Sequence, residues 1–135
     1  MINYGFEKIV DKPFETVLEV TKEKLQKEGF GILTTIDVKE KFREKLGIDF
    51  KKYVILGACN PPSAHKAIKA EENIGLMLPC NVIVYEKGEK TAVAVVRPTV
   101  AMQMVKNKDL EELAVTIEQK LKRVFDSRVR KSSQV

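Results

Sequence analysis

The stretch that decides the fold is residues 53–86, YVILGACNPPSAHKAIKAEENIGLMLPCNVIVYE. Tyr53–Cys59 is an apolar run rich in β-branched residues and reads as the strongest strand of the chain. Asn60-Pro61-Pro62 must follow as a turn or a helix start, because proline cannot donate to a strand ladder. Ser63–Glu72 then reads as a short helix with Ala64, Ala67 and Ile68 on one side. Asn81–Lys87 is the next strand, and Thr91–Arg97 completes a hairpin around Lys87-Gly88-Glu89-Lys90.

Upstream, Tyr4–Val10 reads as a strand. Asp11 is placed to cap a helix with Pro13 in its first turn, where the missing N–H costs nothing. Phe14, Val17, Leu18, Thr21 and Leu25 recur at helical spacing, and Gly29 ends that helix. Phe30–Asp37 is a second strand, followed by a short helix over Val38–Leu46 that stops at Gly47. Downstream, Pro98 ends the last strand and starts a turn of helix toward Val105. Asp109 with Glu112 makes a capping-box-like start to a final helix that buries Leu110, Leu113, Ala114, Ile117, Leu121 and Val124. Two long amphipathic helices each need an apolar partner, and a largely antiparallel sheet offers one face to both. The fold class is therefore α+β, a two-layer domain over residues 1–127, with a basic tail at 128–135 expected to be disordered.

Composition narrows the function. The chain has 135 residues, 44% hydrophobic, which suits one globular core. It holds 24 Lys+Arg against 19 Asp+Glu, a formal charge of +5. Residues 120–135 carry six basic side chains and one acid, so residues 1–119 hold 18 of each sign. A nucleic-acid-binding domain places its basic surface on the folded body, and here the body is balanced, which ranks nucleic acid low as a partner. Lys and Arg at a helix C-terminus suit the dipole instead. No apolar stretch approaches membrane-spanning length, and Met1–Val10 lacks a signal-peptide block, so a cytoplasmic protein is expected. Lys and Glu total 33 against nine Asn and Gln, a skew seen in heat-adapted proteomes.

The two cysteines stand in near mirror-image settings, Cys59-Asn60-Pro61 and Pro79-Cys80-Asn81, each at a strand end. With Asn60 as N-cap and Pro61 as the first helical residue, Cys59 would sit beside a positive dipole end that favours thiolate. His65, about one turn on, could face the same site. Cys59, His65 and Cys80 would then form a metal-binding cluster with Glu86 or an external ligand as the fourth partner. The spacing matches no common zinc motif, and buried thiols also serve as small hydrophobes. The identity of any cofactor is not legible. The acids on the long helices read as solvated faces, and the nucleotide-binding, hydrolase and HExxH signatures are missing.

LGACNPPSAHKAI at 56–68 and NIGLMLPCNVIVYE at 73–86 resemble the signature of the domain of unknown function 302 family. The Gly29-Phe30-Gly31 strand entry and the strand–Pro98–helix ending extend the resemblance over nearly the whole chain. It implies a TATA-binding-protein-like fold of strand, helix, four strands and helix, assembled as dimers. Two positions depart from the pattern: Thr35, where an acid is common, and Arg97, where Asp is more usual. The signature positions here are Cys59, Asn60, Pro61, His65, Pro79, Cys80, Asn81 and Glu86.

The resulting expectation is a homodimeric ligand-binding module with its site at the two Cys-Asn corners, drawn from Cys59, Asn60, His65, Cys80, Asn81 and Glu86. A thiol redox protein with Cys59 as the reactive group and a metal-binding protein are the alternatives. A small molecule or a metal is the expected ligand.

Overall fold

The computed structural model describes the backbone of residues 2–133 and the side chains of residues 2–126. Five antiparallel strands form one sheet: β1 (Gly5–Val10), β2 (Gly31–Asp37), β3 (Tyr53–Cys59), β4 (Cys80–Lys87) and β5 (Lys90–Val96), in spatial order β1-β5-β4-β3-β2. The helices are α1 (Phe14–Lys27), α2 (Val38–Leu46), α3 (Pro61–Ala70), α4 (Pro98–Ala101) and α5 (Lys108–Ser133), and a 3-10 segment spans Glu72–Met77. The expected α+β architecture is present. The basic tail at 128–135 lies outside the residues whose side chains are described.

Register explains the two layers. Val54 pairs with Val84 and Val84 with Val93, while Leu56 pairs with Val82 and Val82 with Val95. These residues, all buried, form the face on which α1 lays Phe14, Val17 and Leu25, and α5 lays Ile117, Leu121 and Val124. Leu25, Leu56, Val84 and Leu121 are wholly excluded from water. Truncating any of these leucines to alanine is worth about 2–5 kcal/mol. A second core joins Ala67 and Ile74 to Met102, Leu110 and Ala114 under the lower half of α3.

The opposite face carries the row Ile36, Ile55, Ile83, Ala94 and Glu7, one residue from each strand in ladder order. Ile36 and Ile9 there are each 42% exposed. Helix α2 buries none of its residues, and its apolar stripe ends in an exposed Leu46. An isolated nine-residue helix is marginal in water, so its packing against β3 and the Phe42–Phe50 ring contact at 5.1 Å support it only in part.

Element ends follow local chemistry, with three corrections. Helix α1 begins after Pro13, which is its N-cap residue, and Asp11 makes no cap. Helix α5 is capped by Asn107, whose Oδ1 accepts the Leu110 N–H at 3.2 Å, and not by Asp109. Helix α3 occupies Pro61–Ala70, two residues upstream of the expected span, and leaves Ile68 43% exposed. Other ends match: α2 runs from the Asp37 cap to a left-handed Gly47, and Gly29, at φ +87°, closes α1. There the Gly29 N–H reaches the Gln26 carbonyl and the Phe30 N–H the Leu25 carbonyl, at 3.0 and 2.9 Å, a Schellman ending.

Candidate functional site

Strand β3 delivers Cys59 to the sheet edge, and α3 starts at once because Asn60 and Pro61 suit its first two positions. The Asn60 Oδ1 accepts the Ser63 N–H at 3.2 Å. Its Nδ2 donates to the Gly29 carbonyl at 3.4 Å, tying this corner to the end of α1. Cys80 opens β4 directly beside Ala58, following a cis Leu78–Pro79 bond. Gly57 lets the corner close: a Cβ there would stand 2.8 Å from Pro79 Cγ and 2.3 Å from Thr34 Oγ1.

Cys59, Asn60 and Cys80 line one cavity of about 40 Å³, walled also by Ala64 and Ala67 of α3, Pro98 and Met102 around α4, and Leu110, Ala114 and Ile117 of α5. Its surface is almost wholly carbon and sulfur. Both cysteines are free, Cys59 half-buried and Cys80 buried. Burial pushes the Cys80 thiol up to about 11, with the charge of the neighbouring Cys59 adding to the effect.

The remaining expected site residues lie elsewhere. His65 is on the exposed side of α3 and does not line the cavity. The helical period explains this, since Ala64 and Ala67 face inward and His65 lies ~100° round from Ala64. Asn81, adjacent to Cys80 and therefore on the other face of β4, is exposed. Glu86 is six residues along β4, about 20 Å from Cys80 at strand rise, where its carboxylate accepts the Lys52 N–H at 2.9 Å. Among the described residues no group of three or more His, Cys, Asp or Glu side chains is placed to hold a metal ion. The expected Cys59–His65–Cys80 cluster is thus not assembled.

One acid on α5 is not a solvated face. Glu118 accepts the Thr99 N–H at 3.0 Å and the Thr99 hydroxyl at 2.6 Å, and pairs with Arg97 Nε at 3.0 Å. Burial acts to raise its carboxyl, yet the Thr99 hydrogen bonds and Arg97 outweigh it and hold Glu118 below its ordinary value. Arg97 is the N-cap residue of α4 and has no acceptor to offer, so Glu118 supplies one from α5. The sequence signal missed here is long-range: Met102 and Leu110 are brought to the corner by the second core, and Glu118 to the start of α4, by packing that no local motif announces. The other departure, Thr35, is exposed on β2.

A five-stranded antiparallel sheet covered on one face by two helices, with a corner built from two Cys-Asn turns, defines the class. The family model "Domain of unknown function DUF302" matches residues 6–127, and the chain belongs to that family. It is also similar to the crystal structure of an uncharacterized conserved DUF302 protein from Bacillus stearothermophilus, at 32% identity and a TM-score of 0.85 over 93% of this chain and 98% of that one. No curated protein matches the chain. Among the described residues no helix is long and apolar enough to cross a membrane.

Proposed function

We propose that the chain is a cytoplasmic small-ligand-binding module whose site is the cavity at the Cys59-Asn60 and Pro79-Cys80 corners, and that it works as a homodimer. The observation that carries this reading is the shared lining of Cys59, Asn60 and Cys80. At about 40 Å³ the cavity exceeds the ~10–15 Å³ that one water needs, but its walls give a water too few polar partners. A small apolar guest fits that chemistry. Titration with xenon, small enough for a cavity of this size, followed by amide NMR, tests it. Shifts at Ala58, Asn60 and Ala114, lost in Ala64→Leu and Ala114→Val, are expected. Unshifted amides under saturating xenon overturn the reading.

The dimer rests on the row Ile36, Ile55, Ile83 and Ala94 across the open sheet face and on the unburied stripe of α2. An exposed apolar face of this kind offers a self-complementary patch, as a two-fold interface requires. Light scattering is expected to give twice the 15.3 kDa chain mass, with Ile83→Asp returning it to one. A single-chain mass across micromolar concentrations overturns this part. The family resemblance to a TATA-binding-protein-like fold brings no nucleic-acid role into this proposal, since fold alone does not fix function.

A thiol redox role for Cys59 is the second reading, favoured by two free thiols on one cavity. Mild diamide oxidation that removes two hydrogens from the chain mass without linking chains supports it. Survival of both thiols removes it.

A further inference from the structure

We infer that the ligand is a single-chain amphiphile whose apolar tail enters the cavity from an adjoining surface groove; this rests on the binding-module reading above. The groove is an open concavity of about 300 Å³ on the other side of the Pro79 loop, reached past Leu76, Asn81 and Ala101. That size lies at the lower end of ligand sites. Leu78, Pro79, Cys80, Pro98 and Met102 line both the groove and the cavity. One wall, a single layer of side chains thick, separates the two spaces.

The wall is built to part. Pro79 and Pro98 are rigid rings that act as posts. Leu78 and Met102 turn about side-chain bonds, and methionine is unbranched, with three rotatable bonds that let it adapt to a guest. The backbone before Leu78 is the 3-10 segment, whose hydrogen-bond geometry is poorer than that of an α-helix. Polarity grades in one direction: exposed Asn81 stands at the groove, and the cavity offers almost no polar surface. Leu76 is 87% exposed beside the groove, an apolar residue the fold itself leaves unused. A molecule with a polar head at Asn81 and a hydrocarbon tail directed at Met102 matches this gradient.

Isothermal titration of the full chain with 1-butanol, 1-hexanol, 1-octanol and 1-decanol tests the inference. Burial of each added methylene is expected to tighten binding about threefold to fourfold. Ala101→Trp and, separately, Val96→Trp fill the groove alone, and both are expected to flatten that dependence while xenon, which fits the cavity itself, still binds. Xenon binding with no gain from butanol to decanol overturns the amphiphile inference and leaves the binding module standing. Absence of binding by xenon and by every alcohol overturns both. Sedimentation with phosphatidylcholine vesicles, without binding of free alcohols, points to a membrane surface and also overturns the inference.

Discussion

Asn60 holds two helix ends at once, accepting the Ser63 N–H at the start of α3 and donating to the Gly29 carbonyl at the end of α1. Asn60→Asp keeps the cap and loses the donor, whereas Asn60→Ala loses both. Urea unfolding is expected to show a loss of about 1 kcal/mol or more for the alanine variant and an intermediate loss for aspartate. Gly29→Ala is expected to cost at least ~1 kcal/mol, since Gly29 sits at φ +87° with the Asn60 amide 3.2 Å from where a Cβ would stand.

Gly57 lies where Thr34 and Pro79 close over β3. Gly57→Ala forces one of them away and is expected to lose about 1–3 kcal/mol. Adding Thr34→Ala relieves the nearer contact, so the double variant is expected to be more stable than Gly57→Ala alone. Equal stability of wild type and Gly57→Ala in thermal melts would show that the corner is loose.

Cys80 gives the fold an alkaline weakness. Its thiol is raised to about 11 in the folded chain and returns to ~8.5 on unfolding, so the folded state holds the proton more tightly. The stability this provides is complete below the unfolded value and is lost as pH rises through the folded one. Between pH 9 and 11 wild type is expected to lose about 2–3 kcal/mol more than Cys80→Ala. In single-cysteine variants at pH 8, iodoacetamide is expected to label half-buried Cys59 faster than buried Cys80.

The Arg97–Glu118–Thr99 cluster makes a pairwise prediction. Glu118→Ala removes the acceptor at the start of α4 and is expected to cost about 1–2 kcal/mol. Arg97→Asp restores a side-chain cap but faces Glu118 with a like charge. The double variant Arg97→Asp/Glu118→Ala is expected to recover part of either single loss, read as a negative coupling in a double-mutant cycle. Because Glu118 is held below its ordinary value, its contribution is present above ~4.5 and fades as pH falls through the folded value.

Where backbone chemistry is local, the residues announced the structure. Asp37 and Gly47 bound α2 at the expected residues, and Tyr53–Cys59 is β3 without adjustment. Both proline turns carried the cysteines to one corner. Failures arose where two neighbours compete or where distant segments decide. Asn107 and Asp109 are both good caps, and Asn107 prevails while its side-chain amide also donates to the Ala70 carbonyl at 2.9 Å. His65 is legible only once the inward face of α3 is known, since Ala64 and Ala67 line the cavity and His65 is exposed. Glu86 enters the expected site as a fourth ligand partner and a signature position, and strand rise carries it to the far end of β4.

The place of β1 at the sheet edge beyond β5 has a consequence for synthesis. Gly5 pairs with Val96 across about 90 residues, and the Arg97 N–H closes on the Tyr4 carbonyl at 2.9 Å. The strand made first has no sheet neighbour until the last strand, β5, is made. At roughly 5–20 residues per second the ribosome takes about 5–20 s to supply it. During that interval β1 and the apolar stripe of α1 stand uncovered, while β3, β4 and β5 can zip together in chain order as they emerge. Gly5–Val10 can thus close only as a late clasp on the sheet, after β5 has been made.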